Sequence, residues 1–418
     1  MDRCRVVGLS SGTSMDAVDV AVADLAVADE TVSLQPLGGL GVPYPVDLRR
    51  DLMTVVQEGD CSARLLCELD TRIGQTFAEA ALRAIDEYGG GRADLVASLG
   101  QTVYHWIEPG AAGSAGSCLG TLQLGSPAWI AEAVGLPVVD DLRTRDVAAG
   151  GHGAPLAGLF DRYWIAGLVR AEPEDHTPIG VLNLGGIANL TVADGAATIA
   201  YDVGPANALL DAACTELDPA GPGFDVGGRL AARGRPDSDL LGELLADPFY
   251  SAAPPKSTGK EHFNGAYLRG LLAGRPAIAP PDLLATLVEL TAATIGAAVR
   301  GHGLSRVVVS GGGARNPTLL RALRARLTPA QLTPSDLLGV PGDDKEAYLT
   351  TLLGFLTWHG LPGNLPSATG AAGPRVLGSI TPGAGPLRQP PPSAAAVRAL
   401  RIDHVRDRPD LGPAAAAH

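Results

Sequence analysis

The stretch Val6-Val7-Gly8-Leu9-Ser10-Ser11-Gly12-Thr13-Ser14-Met15-Asp16-Ala17-Val18-Asp19-Val20-Ala21-Val22 sets two apolar runs on either side of a turn built from small, hydroxyl-bearing and acidic residues. The runs read as adjacent antiparallel strands, Val6–Val7 and Val18–Val22. The turn between them has two readings. It could be an ordinary hairpin tip, because Gly and Ser dominate turns. It could also be an anion cradle: glycine lets backbone approach a ligand closely, and free N–H groups in such a turn point at phosphate. Ser11, Thr13 and Ser14 add hydroxyl donors, while Asp16 and Asp19 offer oxygen ligands to a divalent cation. The turn contains no lysine.

A chain of 418 residues exceeds one small core and predicts two domains. With 46% hydrophobic and 18% charged residues, most of it can fold as globular protein. The net charge of -13 argues against nucleic acid or an anionic membrane surface as the main partner. It leaves ATP open, which needs only local donors and a metal. The five cysteines, Cys4, Cys61, Cys67, Cys118 and Cys214, are odd in number and form no CxxC pair. That suits a reducing cytoplasm better than a disulfide framework or a zinc site. No signal-peptide pattern opens the chain. The apolar segment Leu283–Val299 is broken by Thr286, Glu289, Thr291 and Thr294, and reads as a buried helix.

Apolar residues at helical spacing run from about Ala63 to Tyr88 and stop at Gly89-Gly90-Gly91. Leu95–Ser98 then reads as a buried strand, with Gly100-Gln101-Thr102 leaving the end where ligands sit in α/β sheets. Glu108–Gly120 reads as a Gly/Ala/Ser-rich loop. A second strand, Gly180–Gly186, is expected to pair with Ala197–Tyr201 and to enter a helix after Asp202-Val203-Gly204-Pro205-Ala206-Asn207. Arg306–Ser310 is a third buried strand, feeding Gly311-Gly312-Gly313 and a helix. The expected domains are 1–139 and 140–383, followed by a Pro/Ala-rich tail, 384–418, read as flexible or loosely docked.

Gly311-Gly312-Gly313 lets a base or phosphate lie against bare backbone, though Asn316 stands where the dinucleotide fingerprint has its third glycine. No G-x-x-x-x-G-K-[ST] occurs, so the chain is not a P-loop enzyme. Asp202, at a strand end before a helix, could cap that helix, bind a metal or act as a general base. Asp141, Arg143 and Asp146 read as a solvated charge run unless Gly150–Pro155 brings them to a cleft. His152 reads as structural, and Gln101 with His105 as a pair that could face sugar hydroxyls. The loop Lys256–Asn264 could meet a phosphate, but its composition favours a solvated loop.

Eight segments in order resemble the anhydro-N-acetylmuramic acid kinases. They are GLSSGTSMDAVDVAVA (8–23), SLGQTVYHW (98–106), DDLRTRDVAAGGHGAPL (140–156), NLGGIANLT (183–191), YDVGPANALLDA (201–212), PPKSTGKEHFN (254–264), VVVSGGGARN (307–316) and DDKEAYLTTLLGFLTWHGLPGNLPSATGA (343–371). The resemblance implies an α/β actin/Hsp70/hexokinase-like fold: two ribonuclease-H-like domains with an interdomain ATP cleft. It implies ATP and Mg2+ as cofactors, an anhydrosugar as substrate, no nucleic-acid or membrane partner, and a homodimer. Gly12, Thr13, Ser14, Met15, Asp16 and Asp19 would form the first phosphate loop, with Asp16 on the metal side. Asp202, Gly204 and Asn207 would belong to the second, and Gly311, Gly312, Gly313 and Asn316 to the adenosine loop.

The same resemblance implies hydrolytic opening of the 1,6-anhydro ring coupled to phosphorylation of O6, in cell-wall recycling. Asp202 would be the general base, and Gln101, His105, Arg143, Asp146 and Glu346 the sugar pocket. Three departures stand out: Ala17 replaces the glycine usual after the first-loop aspartate, and Val203 and Ala206 interrupt the usual T-G-P-G-N. Besides a purely structural relative with a degraded first loop at Ala17, two other readings remain at this point. One is a kinase of another anhydrosugar such as levoglucosan. The other is an actin/Hsp70-like ATP-binding protein that modifies no sugar, against which the presence of Asp202 counts.

Overall fold

The protein is described by a computed structural model over residues 3–12, 15–59, 61–108, 116–171, 178–194, 197–254, 256–342, 344–391 and 396–403. Its strands, in chain order, are β1 (Cys4–Ser11), β2 (Ala17–Ala28), β3 (Thr31–Pro43), β4 (Leu95–Glu108), β5 (Ser117–Leu124), β6 (Val138–Asp140), β7 (Ile179–Leu184), β8 (Ile187–Asp194), β9 (Ala197–Pro205), β10 (Arg306–Ser310), β11 (Gln331–Pro334), β12 (Ser379–Thr381) and β13 (Ala399–Ile402). The chain divides into two compact units. The first comprises Met1–Gly167, Leu338–Val340 and Glu346–His418, and the second Leu168–Leu337 and Pro341–Lys345.

In the first unit the sheet order is β12-β6-β4-β1-β2-β3-β13, with β5 paired to β4. β1 to β3 form an antiparallel meander, and β4 and β6 continue beside β1 in parallel. β1 is buried along nearly its whole length, as expected of a central strand covered on both faces. The helix Ala63–Glu87 covers one face through Leu69, Ile73, Phe77, Ala81 and Ala84. Ser62 caps it by accepting from the Leu65 amide at 3.1 Å, and the Gly89 and Gly91 amides close its end on Ala84 and Ile85 carbonyls. Burial of a large side chain such as Phe77 contributes about 1.5–3 kcal/mol.

The second unit repeats this plan. Its order is β11-β10-β7-β8-β9, with β7 to β9 an antiparallel meander and β10 and β11 parallel beside β7. Read from the meander, the sheets run β3-β2-β1-β4-β6 and β9-β8-β7-β10-β11, the same order once β5, off the path beside β4, is set aside, so each unit is ribonuclease-H-like. The helix Pro280–Gly301 forms the core of this unit, and 72% of its most apolar window is buried. The threonines that break its hydropathy are buried and internally bonded. Thr291 Oγ1, for example, donates to the Pro205 carbonyl at 3.0 Å.

Several sequence expectations need correction. Gly180–Gly186 does not pair with Ala197–Tyr201, because β8 lies between them. Its start at Ile187, one residue beyond Gly185-Gly186, made the hairpin too tight to read as two strands. The expected loop Glu108–Gly120 contains the end of β4 and the start of β5, paired at Glu108 with Ser117.

The division also falls elsewhere than at 139/140 and 383/384. β6 extends the first sheet beside β4, and Gly167 lies against the Leu400 carbonyl of β13. From Glu346 on, the helix Lys345–Trp358 packs on β1 and β4, made possible by Gly8 under Ala347 and Thr351 and by Gly354 over Ala97. The tail is part of the fold as far as β13, which pairs with β3 in parallel from Ala399 to Ile402.

Candidate functional site

The first turn leaves β1 at Ser11 and closes through the Met15 amide, which donates to the Gly12 carbonyl at 3.1 Å. Met15 has φ 51, a left-handed backbone that a non-glycine residue adopts only when its surroundings enforce it. Here Arg49 Nε donates to the Met15 carbonyl at 2.9 Å, and the Tyr44 amide to the Asp16 carbonyl at 3.0 Å. Asp16 is exposed and Asp19 half-buried on β2. Thr13 and Ser14 lie outside the described residues.

Gln101 is 1% exposed. Ser11 Oγ donates to its Oε1 at 2.6 Å, and its Nε2 donates to the Thr102 and Gly12 carbonyls at 3.1 and 3.4 Å. The amide therefore ties the first turn to β4 rather than facing outward.

Of the other expected sugar-pocket residues, three form one electrostatic group. His105 is held by Thr121 Oγ1 at 3.0 Å from Nδ1, and burial, then the Arg143 charge, push its pKa down. Burial also lowers the Arg143 pKa, opposed by Glu346. One Arg143 nitrogen donates to the Gly153 carbonyl at 2.7 Å, while its buried Nε has no hydrogen-bond partner among the described residues. Thr121 and Thr144 also line a polar cavity of about 320 Å³, together with Ser98, Gln123, Asp140 and Asp141. Burial and the neighbouring Asp141 raise Asp140 to about 6, with the Ser379 hydroxyl opposing them.

Asp146 does not join this group, and it is no part of a solvated charge run. It is 0% exposed and accepts from the Gly153 amide at 2.9 Å, Asn364 Nδ2 at 2.7 Å and Thr369 Oγ1 at 2.8 Å. The His152 amide donates to the Thr369 carbonyl at 2.8 Å, so the glycine-rich loop and the 364–369 segment are stitched together around the Asp146 carboxyl.

In the second unit the turn equivalent to the first one is Gly185-Gly186, between β7 and β8. Three amides after β9 clamp it: Ala206 and Ala208 donate to the Gly186 carbonyl at 2.9 Å each, and Asn207 to the Gly185 carbonyl at 3.1 Å. Asn207 Nδ2 adds a bond to the Gly185 carbonyl at 2.9 Å. Gly311, with φ 85, sits where a Cβ would fall 2.6 Å from Asn183 Oδ1. A Cβ on Gly313 would fall 2.7 Å from Leu184 Cβ.

Gly204, Asn207, Gly311 and Gly313 thus converge on one sheet end around Asn183–Gly186, the parallel-strand edge where α/β sheets hold ligands. Gly312 is exposed, and a Cβ there would meet nothing within 4 Å. Asn316 caps the helix Pro317–Leu327, accepting from the Thr318 and Leu319 amides at 3.0 and 3.1 Å. Gly185-Gly186 and Asn183 carry no distinguishing cue in residue type alone. The internal repeat of the strand order is the signal that marks them.

Asp202 lies on β9 and caps no helix; the helix Ala208–Leu217 starts after Asn207. Its Oδ1 accepts from Asn189 Nδ2 at 3.0 Å, and its Oδ2 from Ser257 Oγ at 2.9 Å and the Thr258 amide at 3.0 Å. The Lys256–Asn264 loop is therefore not merely solvated, since its first residues grip this carboxylate. Its Lys260 lies against the other turn, with Cε 3.0 Å from where a Gly186 Cβ would be. Val203 is the extra residue of a bulge between β8 and β9. Val203 and Ala206 are 3% and 1% exposed and belong to the core, not to a surface.

A duplicated ribonuclease-H-like fold with glycine turns at strand ends is the architecture of the actin/Hsp70/hexokinase-like class. A family model described as anhydro-N-acetylmuramic acid kinase matches residues 4–383. The chain belongs to that family. It is 52% identical to the anhydro-N-acetylmuramic acid kinase of Streptomyces coelicolor, covering 95% of this chain and 99% of that one. It is 46% identical to that of Rhodococcus erythropolis, covering 96% and 99%. Among solved structures, a ROK family glucokinase from Streptomyces griseus in complex with glucose and AMPPNP covers 84% of this chain and 99% of that one, at 14% identity and a TM-score of 0.33. Membership makes the chain a sugar kinase and sets aside the reading of an ATP-binding protein that modifies no sugar.

Proposed function

We propose that the chain opens the 1,6-anhydro ring of anhydro-N-acetylmuramic acid with water and transfers the γ-phosphoryl group of ATP to O6, in cytoplasmic cell-wall recycling. The observation that carries the reading is the Asp202 carboxylate, intact in the family motif and held by Asn189, Ser257 and the Thr258 amide. Membership of a kinase family supports ATP use. In the step, a water proton passes to Asp202 and the water oxygen bonds to the anomeric carbon. The bond from that carbon to O6 breaks, O6 bonds to the γ-phosphorus, and ADP departs with the other bond of that phosphorus. An inverting glycosidase needs a second carboxyl group to protonate its leaving oxygen. Here the phosphoryl group captures that oxygen, so one carboxylate suffices.

Phosphoryl transfer asks the protein mainly for positioning and charge stabilisation. The turns at Gly12–Asp19 and Gly185-Gly186 would take phosphate, Gly311–Gly313 the nucleoside, and Lys260 would bring a cation to the second turn. Mg2+ would supply charge neutralisation at the phosphates, with Asp16 as its protein ligand. No cluster of three or more His, Cys, Asp or Glu occurs among the described residues. Mg2+ in phosphoryl-transfer sites is generally held by one or two carboxylates, water and substrate phosphates. Arg143, with an orphaned Nε beside His105 and Glu346, would recognise the lactyl carboxylate that distinguishes this sugar from levoglucosan.

The deciding experiment incubates the purified protein with MgATP and anhydro-N-acetylmuramic acid, levoglucosan or no sugar, in 18O-labelled water. The expected result is ADP release only with the amino-sugar, with label on the anomeric oxygen of a 6-phosphate. ATP turnover indifferent to sugar would sink the proposal.

A further inference from the structure

We propose that the segment Lys256–Thr258 is a clamp that decides which oxygen of Asp202 takes the proton, with Ser257 and Asn189 as positioning residues. The inference rests on the reading of Asp202 as the base and adds the atom and the device. Each carboxylate oxygen has about two lone-pair sites. Both sites of Oδ2 are used, by the Ser257 hydroxyl at 2.9 Å and the Thr258 amide at 3.0 Å. Among the described residues Oδ1 accepts only from Asn189 Nδ2, at 3.0 Å, which leaves one site for the attacking water. Oδ1 is thus the accepting oxygen, and rotation of the carboxylate is blocked from both sides.

The clamp is itself anchored to the strand it serves. The Asp202 amide donates to the Lys256 carbonyl at 3.0 Å. Lys256 Nζ donates to the Phe249 and Tyr250 carbonyls at 2.9 and 3.2 Å and lies 4.5 Å from the centre of the Phe249 ring. Its ammonium is therefore committed to the loop's base and turned to those carbonyls. The two donors on Oδ2 are neutral, so the carboxylate is oriented without an ion-pair partner that would weaken it as a base.

The test compares Ser257→Ala, Ser257→Thr and Asp202→Asn in the full-length protein, measuring kcat and the KM of each substrate. Ser257 is exposed, so its truncation removes a donor without opening a cavity. Ser257→Ala is expected to lower kcat about 10- to 100-fold, the worth of one hydrogen bond to a charged group, with both KM values unchanged. Ser257→Thr, which keeps the hydroxyl, is expected to restore most of the loss. A Ser257→Ala enzyme with parental kcat, or with a raised KM alone, overturns the clamp. An Asp202→Asn enzyme of near-parental activity overturns the base reading instead. Asn189→Ala gives an independent arm: a drop in kcat at constant KM supports the clamp, and parental kcat overturns it.

Discussion

Replacing Asp146 with alanine tests whether this residue builds the first unit or touches the sugar. Its carboxyl is fully buried and is the common acceptor for the Gly153 amide, Asn364 Nδ2 and Thr369 Oγ1, at 2.7–2.9 Å. Alanine strands the Gly153 amide and leaves Asn364 Nδ2 and Thr369 Oγ1 with only their longer bonds to the Gly373 and Leu365 carbonyls, at 3.3 and 3.4 Å. The stranded amide costs roughly 1–3 kcal/mol and each weakened donor about 0.5–1.5 kcal/mol, for a simple sum of about 2–6 kcal/mol. Release of the carboxyl group from its own desolvation offsets part of this, and the expected loss is about 3–5 kcal/mol.

Asp146→Asn should cost less. Its oxygen can keep Asn364 and Thr369, while its new NH2 group faces the Gly153 amide, a loss of about 1–3 kcal/mol. Two units need not unfold in one transition, so the assay is local: hydrogen exchange of peptides spanning 146–156 and 361–373, beside urea unfolding. Both peptides should lose protection in the order Ala more than Asn. If both variants keep parental protection and stability but raise the KM for sugar, Asp146 is a substrate ligand and the reasoning fails.

Arg143→Gln should raise the KM for anhydro-N-acetylmuramic acid by about 10- to 100-fold, as expected for a lost charge-assisted pair, and leave the KM for ATP unchanged. An unchanged KM for the sugar would remove Arg143 from carboxylate recognition. Ala206→Gly should lower stability by about 0.5–1 kcal/mol and leave kcat and the KM for ATP within twofold, because the methyl is buried in the core; a clear gain in ATP affinity would contradict this. Asp140, raised to about 6, binds its proton more tightly folded than unfolded, so its contribution is full at pH values below the usual carboxylate range and is lost as pH rises through 6. Asp140→Asn should therefore stabilise the protein by about 1–2 kcal/mol at pH 8 in urea unfolding and by nothing near pH 3.5, and the opposite pH trend would refute the assignment.

The fold was legible where sequence periodicity and strand burial coincide. β1 and β2 are long, apolar and separated by an unmistakable turn, so the antiparallel pair Val6–Val7 with Val18–Val22 is read directly. The same cues mark the helix Ala63–Glu87 between its Ser62 cap and the glycines that follow. They fail at β8, where a two-residue glycine turn gives no polar gap between strands, and at β5, whose small and polar residues look like loop. The tail fails for a different reason. Ala399–Ile402 is too short to be recognised alone and becomes a strand only because the edge of β3 is open to it.

The site divides along another physical line. Residue type told where carboxylates, amides and glycines were, but not which way each one turned. Gln101, Asp146 and Asn316 carry groups suited to binding a ligand, yet each spends them on a loop: the first turn, the 150–153 loop and the start of Pro317–Leu327. Among the described residues, Arg143 and Asp202 keep capacity unspent, in an orphaned guanidinium nitrogen and one open lone pair. A buried polar group whose bonds are all made within the protein has little left for a ligand, and one left short must find its partner there. Unspent capacity is therefore the ground on which we propose Arg143 and Asp202, ahead of Gln101, Asp146 and Asn316, as groups that meet a ligand. It is also why Ser257 and Asn189, whose donors are aimed at Asp202 alone, come into view only in three dimensions.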